Sequence, residues 1–197
     1  EAQLALRFGH AGGRTFVARQ RVAYPFHLGR SLHMPGDPVD MPTYYVQSCS
    51  GGIFERDRLA WRVELAMGSK LHLSTAASTV VHSMTGGDAQ QAVTFDLGAG
   101  CVLEYLPDPI ILFPGARYRT RLTLRVADSA CAIAWDAVIA HDPHDAAQVF
   151  DCMDSQLRIV RAQADTLCAL DRYRISGAAL PGVMGSFRCH GSLLALA

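Results

Sequence analysis

The sequence predicts a mainly β chain whose strands follow one another at short intervals. Two observations predict it: apolar residues recur with period two more often than with period 3.6, and glycine or proline pairs punctuate the apolar runs. The clearest strand covers residues 58–65, where Leu59, Trp61, Val63 and Leu65 fall on one face, with Arg58, Arg62 and Glu64 among the intervening positions. A second covers residues 117–126, with Tyr118, Thr120, Leu122, Leu124 and Val126 on an apolar face and Arg117, Arg119, Arg121 and Arg125 on a cationic one. That cationic face is either the solvated side of an outer strand or a contact for acidic partner surface, since guanidinium forks grip carboxylates in two-pronged fashion. Further strands are predicted over residues 3–8, 14–22, 43–48, 70–74, 92–97, 102–106, 132–139 and 156–161, with Tyr44 and Tyr45 as core and edge packing. Gly12-Gly13, Gly51-Gly52, Gly86-Gly87 and the Pro107-Asp108-Pro109 corner supply the turns between them. Residues 142–151 predict one short helix, because Ala146, Ala147, Val149 and Phe150 follow an aspartate-rich start. No exact repeat marks the chain, so periodicity fits a sandwich, a barrel or a stack of coils equally.

The 197 residues, 50% of them hydrophobic, suit one domain (residues 1–197) with a substantial core. Lysine plus arginine equals aspartate plus glutamate at 18 each, so no global field favours nucleic acid or an anionic membrane, and a partner has to be bound through local surface. The longest apolar runs, 110–113 and 193–197, fall far short of the roughly 20 residues of a membrane-spanning helix. Six cysteines occur without a C-x-x-C pair, which argues against structural zinc and a dithiol redox motif and predicts mostly buried, reduced thiols. With no signal peptide ahead of Glu1, the chain reads as cytoplasmic. It carries no G-x-S-x-G elbow, no phosphate loop and no H-E-x-x-H pair.

Three segments carry a family resemblance. Tyr44-Tyr45-Val46-Gln47-Ser48-Cys49-Ser50-Gly51-Gly52-Ile53-Phe54-Glu55-Arg56-Asp57 keeps a glycine pair and an aspartate, with Arg56 where the pattern usually has glycine. Leu71-His72-Leu73-Ser74-Thr75-Ala76-Ala77-Ser78-Thr79-Val80 carries a T-x-x-x-T strand end. The most specific is Leu103-Glu104-Tyr105-Leu106-Pro107-Asp108-Pro109-Ile110-Ile111-Leu112-Phe113-Pro114-Gly115-Ala116. In this order and spacing they resemble the UreD (UreH) family of urease accessory proteins, over roughly Leu4 to Tyr173. Two departures mark a divergent member: His141-Asp142-Pro143-His144-Asp145 stands where the family has a G-R-x-x-x-G-E run, and Val80-Val81-His82-Ser83 follows the threonines. The family also continues for several dozen residues beyond the counterpart of Ala197, so its C-terminal portion is expected to be missing here.

The resemblance implies a mainly β, β-helix-like stack of sheets with few short helices, and no catalysis. It implies a scaffold that binds a UreF-like protein, recruits a UreG-like GTPase through it, and docks on apo-urease, with a homodimer as one arrangement of the complex. No cofactor is tightly bound; nickel is in transit through a polar interior, which calls for oxygen and imidazole ligands that release the ion. Glu104 and Asp108 flank the proline corner and either line such a passage or serve a strand face and a turn. Asp57 either joins them or bonds its own turn. His72 and His82 are either sheet residues or ligands. His141 and His144 belong to a solvated loop, to a surface nickel site, or to a metal-dependent enzyme on a β scaffold, although Pro143 restrains Asp142 from helical geometry. A purely structural β partner domain is the remaining alternative.

Overall fold

The computed structural model describes residues 1–33 and 36–197. Strands β1 (Leu4–Ala11) and β2 (Arg14–Val22) form a hairpin whose Gly12 and Gly13 both take positive φ, the conformation a two-residue turn between right-twisted strands requires. After β3 (Phe26–Leu28) and β4 (Thr43–Ser48), the chain alternates between two sheets. β5 (Arg58–Leu65), β8 (Ala89–Leu97), β11 (Arg117–Val126) and β13 (Cys152–Arg161) pair in parallel in sheet 1. β4, β6 (Lys70–Thr75), β9 (Val102–Tyr105) and β12 (Cys131–Ala140) pair in parallel in sheet 2. Short strands β7 (Val80–Val81) and β10 (Ile110–Leu112) resume the rungs begun by β6 and β9, so both rungs are interrupted side by side. β14 (Thr166–Ser176) returns antiparallel to β13, and after a 3-10 turn and α1 (Leu180–Met184), β15 (Cys189–Leu196) closes antiparallel on β12. Of the three open architectures, the chain adopts the stack of coils: a solenoid-like pair of parallel sheets.

Parallel neighbours stack like upon like, because successive rungs bring inward positions into register. Leu71 sits beside Leu103, and Val63 beside Phe95, which neighbours Leu124. These rows, with Leu4 and Phe8, are almost fully buried between the sheets and form the larger core cluster. A second cluster, around Ile53, Val81, Leu112, Met153 and Leu180, lies toward the other end of the rungs. Each large side chain so buried stabilises by roughly 1.5–3 kcal/mol, which outweighs local propensity.

Several expectations are corrected. Residues 142–151 form no helix: the Asp142 carboxylate accepts from the backbone N–H of His144, Ala146 and Gln148 at 3.0, 2.8 and 2.9 Å and wraps the loop around itself. Asp145 and Ala147 take positive φ there, which a helix does not allow. The sequence reading also missed β3, β7, β10, β14 and β15 and began β8 and β13 too late. All six cysteines are free, but Cys101 alone is buried; Cys49, Cys168 and Cys189 are exposed. Among the described residues no helix is long and apolar enough to cross a membrane.

Candidate functional site

Sheet 2 breaks where Thr75 ends one rung and Tyr105 the next. Pro107 and Pro109 have no N–H to give a ladder, so the second rung cannot continue through them. Side chains knit the gap instead. The Thr75 hydroxyl donates to Asp108 Oδ2 at 3.1 Å while the Asp108 N–H donates to Thr75 Oγ1 at 2.8 Å. Ser74 Oγ donates to Leu106 O at 2.7 Å, and Trp135 Nε1 donates to Pro107 O.

Behind the gap lies a cavity of about 70 Å³ between the sheets, room for a few waters at roughly 10–15 Å³ each. Trp61 and Tyr105 of the larger core line it together with Ile53, Leu59 and Tyr118 of the smaller, so it marks the seam between the two clusters. Its polar groups include Thr75, Thr79 and Asp108 from the broken rungs, Ser48 from β4, Asp136 from β12, and Gln91, Thr120 and Ser155 from sheet 1. Asp136 accepts hydrogen bonds from Ser155 Oγ and, at 3.1 Å, from the Tyr173 hydroxyl; Tyr118 OH donates to Gln91 Oε1 at 2.7 Å. Burial, and then the Asp136 charge, push the Tyr105 and Tyr173 phenols up. Burial, with nearby Tyr105 and Asp136, does the same to Tyr118. All three phenols are therefore neutral donors at ordinary pH. Trp61 adds a buried Nε1 without a hydrogen-bond partner among the described residues, a cost of about 1–3 kcal/mol unless a polar occupant of the seam reaches it. Carboxylate, hydroxyl and amide oxygens without thiolate make a hard donor set, suited to a hydrated divalent cation held weakly.

The residues singled out from sequence separate into distinct places. Asp108 lines the cavity. Glu104 does not: its neighbours Leu103 and Tyr105 point into the core, so it faces outward, 2.8 Å from His72 Nδ1 on the adjacent rung. Asp57 bonds its own turn, accepting from the Phe54 N–H at 2.8 Å. His82 stacks on Phe54 with centroids 4.5 Å apart and meets Phe113 edge-on at 5.7 Å, and Phe113 meets His141 at 5.8 Å, so one ring from each successive rung of sheet 2 forms a ladder. His82 Nε2 also lies 3.2 Å from Gly51 O. His144 is exposed on the loop that Asp142 organises. Among the described residues no group of three or more His, Cys, Asp or Glu side chains is placed to hold a metal ion, so His141 and His144 find no third ligand.

Sequence reasoning missed Asp136, Ser155, Gln91 and Tyr173. Parity held the signal for the first two. Asp136 shares the inward register of Ala132, Ala134 and Val138, and Ser155 that of Met153, Leu157 and Ile159; a polar residue at such a position signals a polar interior.

Fold and site together define a class: a two-sheet, parallel, solenoid-like β protein with a polar seam between its two apolar cores. The model of the UreD urease accessory protein family matches residues 1–197, further than the motifs alone reach, and the chain belongs to that family. It is 41% identical over 177 residues to urease accessory protein UreD 1 of Pseudomonas syringae pv. syringae (strain B728a), covering 88% of this chain and 62% of that protein. It is 38% identical over 197 residues to urease accessory protein UreD 3 of Bradyrhizobium sp. (strain ORS 278), covering 99% and 69%. Identity to urease accessory protein UreD 1 of Methylorubrum populi (strain ATCC BAA-705 / NCIMB 13946 / BJ001) is 36% over 197 residues, covering 98% and 67%. The chain thus spans about two thirds of the length of these relatives.

Proposed function

We propose that this chain is a non-catalytic scaffold of urease maturation, which joins UreF-like and UreG-like proteins, docks on apo-urease, and lets nickel cross its interior at the seam between the sheets. The observation that carries this reading is the seam itself. Asp108 also knits the broken rungs, but Asp136 and Ser155 stand at inward positions of otherwise apolar strands and gather with it and Gln91 around one cavity, and taking a carboxylate even partly out of water is costly unless it is partnered. The partners present are hydroxyls, which compensate in part and leave oxygen lone pairs for a cation in transit. The family assignment supports the process, and the donor set supports the step within it.

The test is a urease operon whose own UreD is replaced by this chain or by Asp108→Asn, Asp136→Asn and the double variant. Asparagine keeps the shape and an acceptor oxygen but removes the charge. The double variant is expected to lower urease activation about tenfold or more, while its melting temperature and its co-purification with the UreF-like protein stay as in the parent. Unchanged activation by a folded double variant would sink the passage, and failure of the parent chain to co-purify with that partner would sink the scaffold.

A further inference from the structure

Sheet 1 presents an outer face unlike the rest of the molecule. Toward the C-terminal ends of its parallel strands the charges cancel: Arg62 pairs with Glu64 and Asp96, and Arg125 with Asp96 and Asp165, all within 3.2 Å. Toward the N-terminal ends of β5, β8, β11 and β13, and across to β14, they do not. A groove of about 560 Å³ runs over these strands, its wall carrying Arg58, Arg119, Arg121, Arg172 and Arg174. The carboxylates that answer them are Asp88, shared by Arg58 at 2.6 Å and Arg119 at 3.7 Å, and Asp154, gripped in two-pronged fashion by Arg172 at 2.9 and 3.2 Å. Glu1, at one end, is engaged by Arg21. Among the described residues Arg121 hydrogen-bonds only to the neutral oxygen of Gln156, at 2.9 Å, and Arg174 only to the Cys152 sulfur, at 3.3 Å; Asp154 acts on Arg174 through charge without bonding it. Both arginines are exposed. The floor is low because Ala60 and Ala92 lie there.

We infer that this groove docks an extended, acidic segment of a partner protein, with the Arg121 and Arg174 guanidinium groups as its carboxylate receptors. Five arginines against two carboxylates give the surplus charge. Guanidinium matches carboxylate geometrically, with two parallel N–H···O bonds for each pair. The size agrees as well. Five strands at ~4.8 Å spacing span about 19 Å, the reach of about six extended residues. The chemistry also separates this occupant from other polyanions. The groove has no aromatic side chain on which bases stack, and the chain as a whole carries no net charge to attract nucleic acid. A concave, apolar-poor surface gives a flat bilayer nothing to insert against. The arginines of β11 thus divide into two roles. Arg117 and Arg125 are held by Asp151 and by Asp96 and Asp165, whereas Arg119 and Arg121 face the groove. This surface lies outside the interior seam, so it stands or falls separately from nickel passage.

The full chain is titrated, by fluorescence anisotropy, into a short labelled peptide of alternating glutamate and alanine, with the glutamine-for-glutamate peptide and a single-stranded oligonucleotide of equal charge as comparisons. Saturable binding of the acidic peptide is expected, weakening with salt and absent for the glutamine peptide. An Arg121→Gln/Arg174→Gln double variant should bind about tenfold more weakly or worse, the loss expected for two charge-assisted contacts at exposed guanidinium groups in a concave site. Arg7→Gln, on the same sheet but outside the groove, should bind within about twofold of the parent. The proposal is overturned if the acidic peptide does not bind, if the double variant binds as the parent does, if Arg7→Gln loses as much, or if the oligonucleotide binds as tightly as the peptide. Melting temperatures of the variants separate lost binding from lost folding.

Discussion

Replacing Arg56 with glycine should stabilise this protein, although it removes a large side chain and an ion-pair partner. Arg56 sits at the third position of a turn closed by the Asp57 N–H donating to Phe54 O at 3.1 Å, with φ of +70°. Its own N–H donates to Asp88 O at 3.0 Å, so the turn cannot relax without breaking a bond to the next rung. A side chain in the left-handed region costs roughly 1–2 kcal/mol through its Cβ, and glycine removes that cost. Against this, glycine loses more backbone entropy on folding, about 0.4–1 kcal/mol. The ion pair lost is weak: Arg56 Nε is 4.0 Å from Glu55 Oε1 and its side chain is 84% exposed, which leaves at most a few tenths of a kcal/mol. The balance is about 0.5–1 kcal/mol in favour of glycine, or a melting temperature raised by roughly 1–4 °C in a chain of this size. Urea and thermal unfolding of the parent, Arg56→Gly and Arg56→Ala measure it. Alanine keeps the Cβ and should gain nothing. If Arg56→Gly is no more stable than Arg56→Ala, the left-handed backbone is not the cost assigned to it.

Gly52→Ala should act in the opposite sense: at φ +142° an added Cβ would sit 2.6 Å from His82 Nε2 and 2.7 Å from Val80 O, so unfolding measurements should show a loss of about 2–3 kcal/mol or more, with His82 displaced from Phe54. The Asp154 carboxyl is held below its ordinary value of 3.8, chiefly by the hydrogen bond from Arg172. A depressed folded value stabilises above the unfolded one and is lost as pH falls through it, so Asp154→Asn should cost on the order of 1 kcal/mol at neutral pH, discounted for the half-exposed Arg172, and progressively less below about pH 4. A stability difference that stays constant from neutral to acid pH would contradict this. Asp142→Ala should leave global unfolding nearly unchanged but speed amide hydrogen exchange at His144, Ala146 and Gln148, whose N–H groups all donate to that carboxylate; unchanged exchange there would refute its organising role.

Strands with strict alternation were legible because parity alone decides which side chains a half-buried strand hides: 58–65 and 117–126 lie where the sequence predicts them, as β5 and β11. β14 was not legible, since ten of its eleven residues face solvent at least in part and its pairing is dictated by β13 rather than by its own pattern. β7 and β10 are too short to show a period and exist only because neighbouring rungs supply their partners. At the site, the proline corner was legible as a break, and Asp108 as a residue beside it. Parity alone would put Glu104 and Asp108 on one face; they separate only because the strand ends at Tyr105, before the proline corner that carries Asp108 to the cavity.

By itself the sequence determined the class of secondary structure, the turns, the family motifs and the unusual residue at Arg56, all of which are local: alternation, missing N–H groups and backbone preference act within a few residues. Tertiary structure decided which turn of the stack each strand joins, that the two breaks in sheet 2 fall side by side, and that Asp108 and Asp136, 28 positions apart in the sequence, share one seam. It also decided that His82 and His141 are rungs of an aromatic ladder, and that arginines from separate strands converge on one groove. The physical reason is that register between parallel strands is set by packing across the whole sheet, which no single strand's pattern contains.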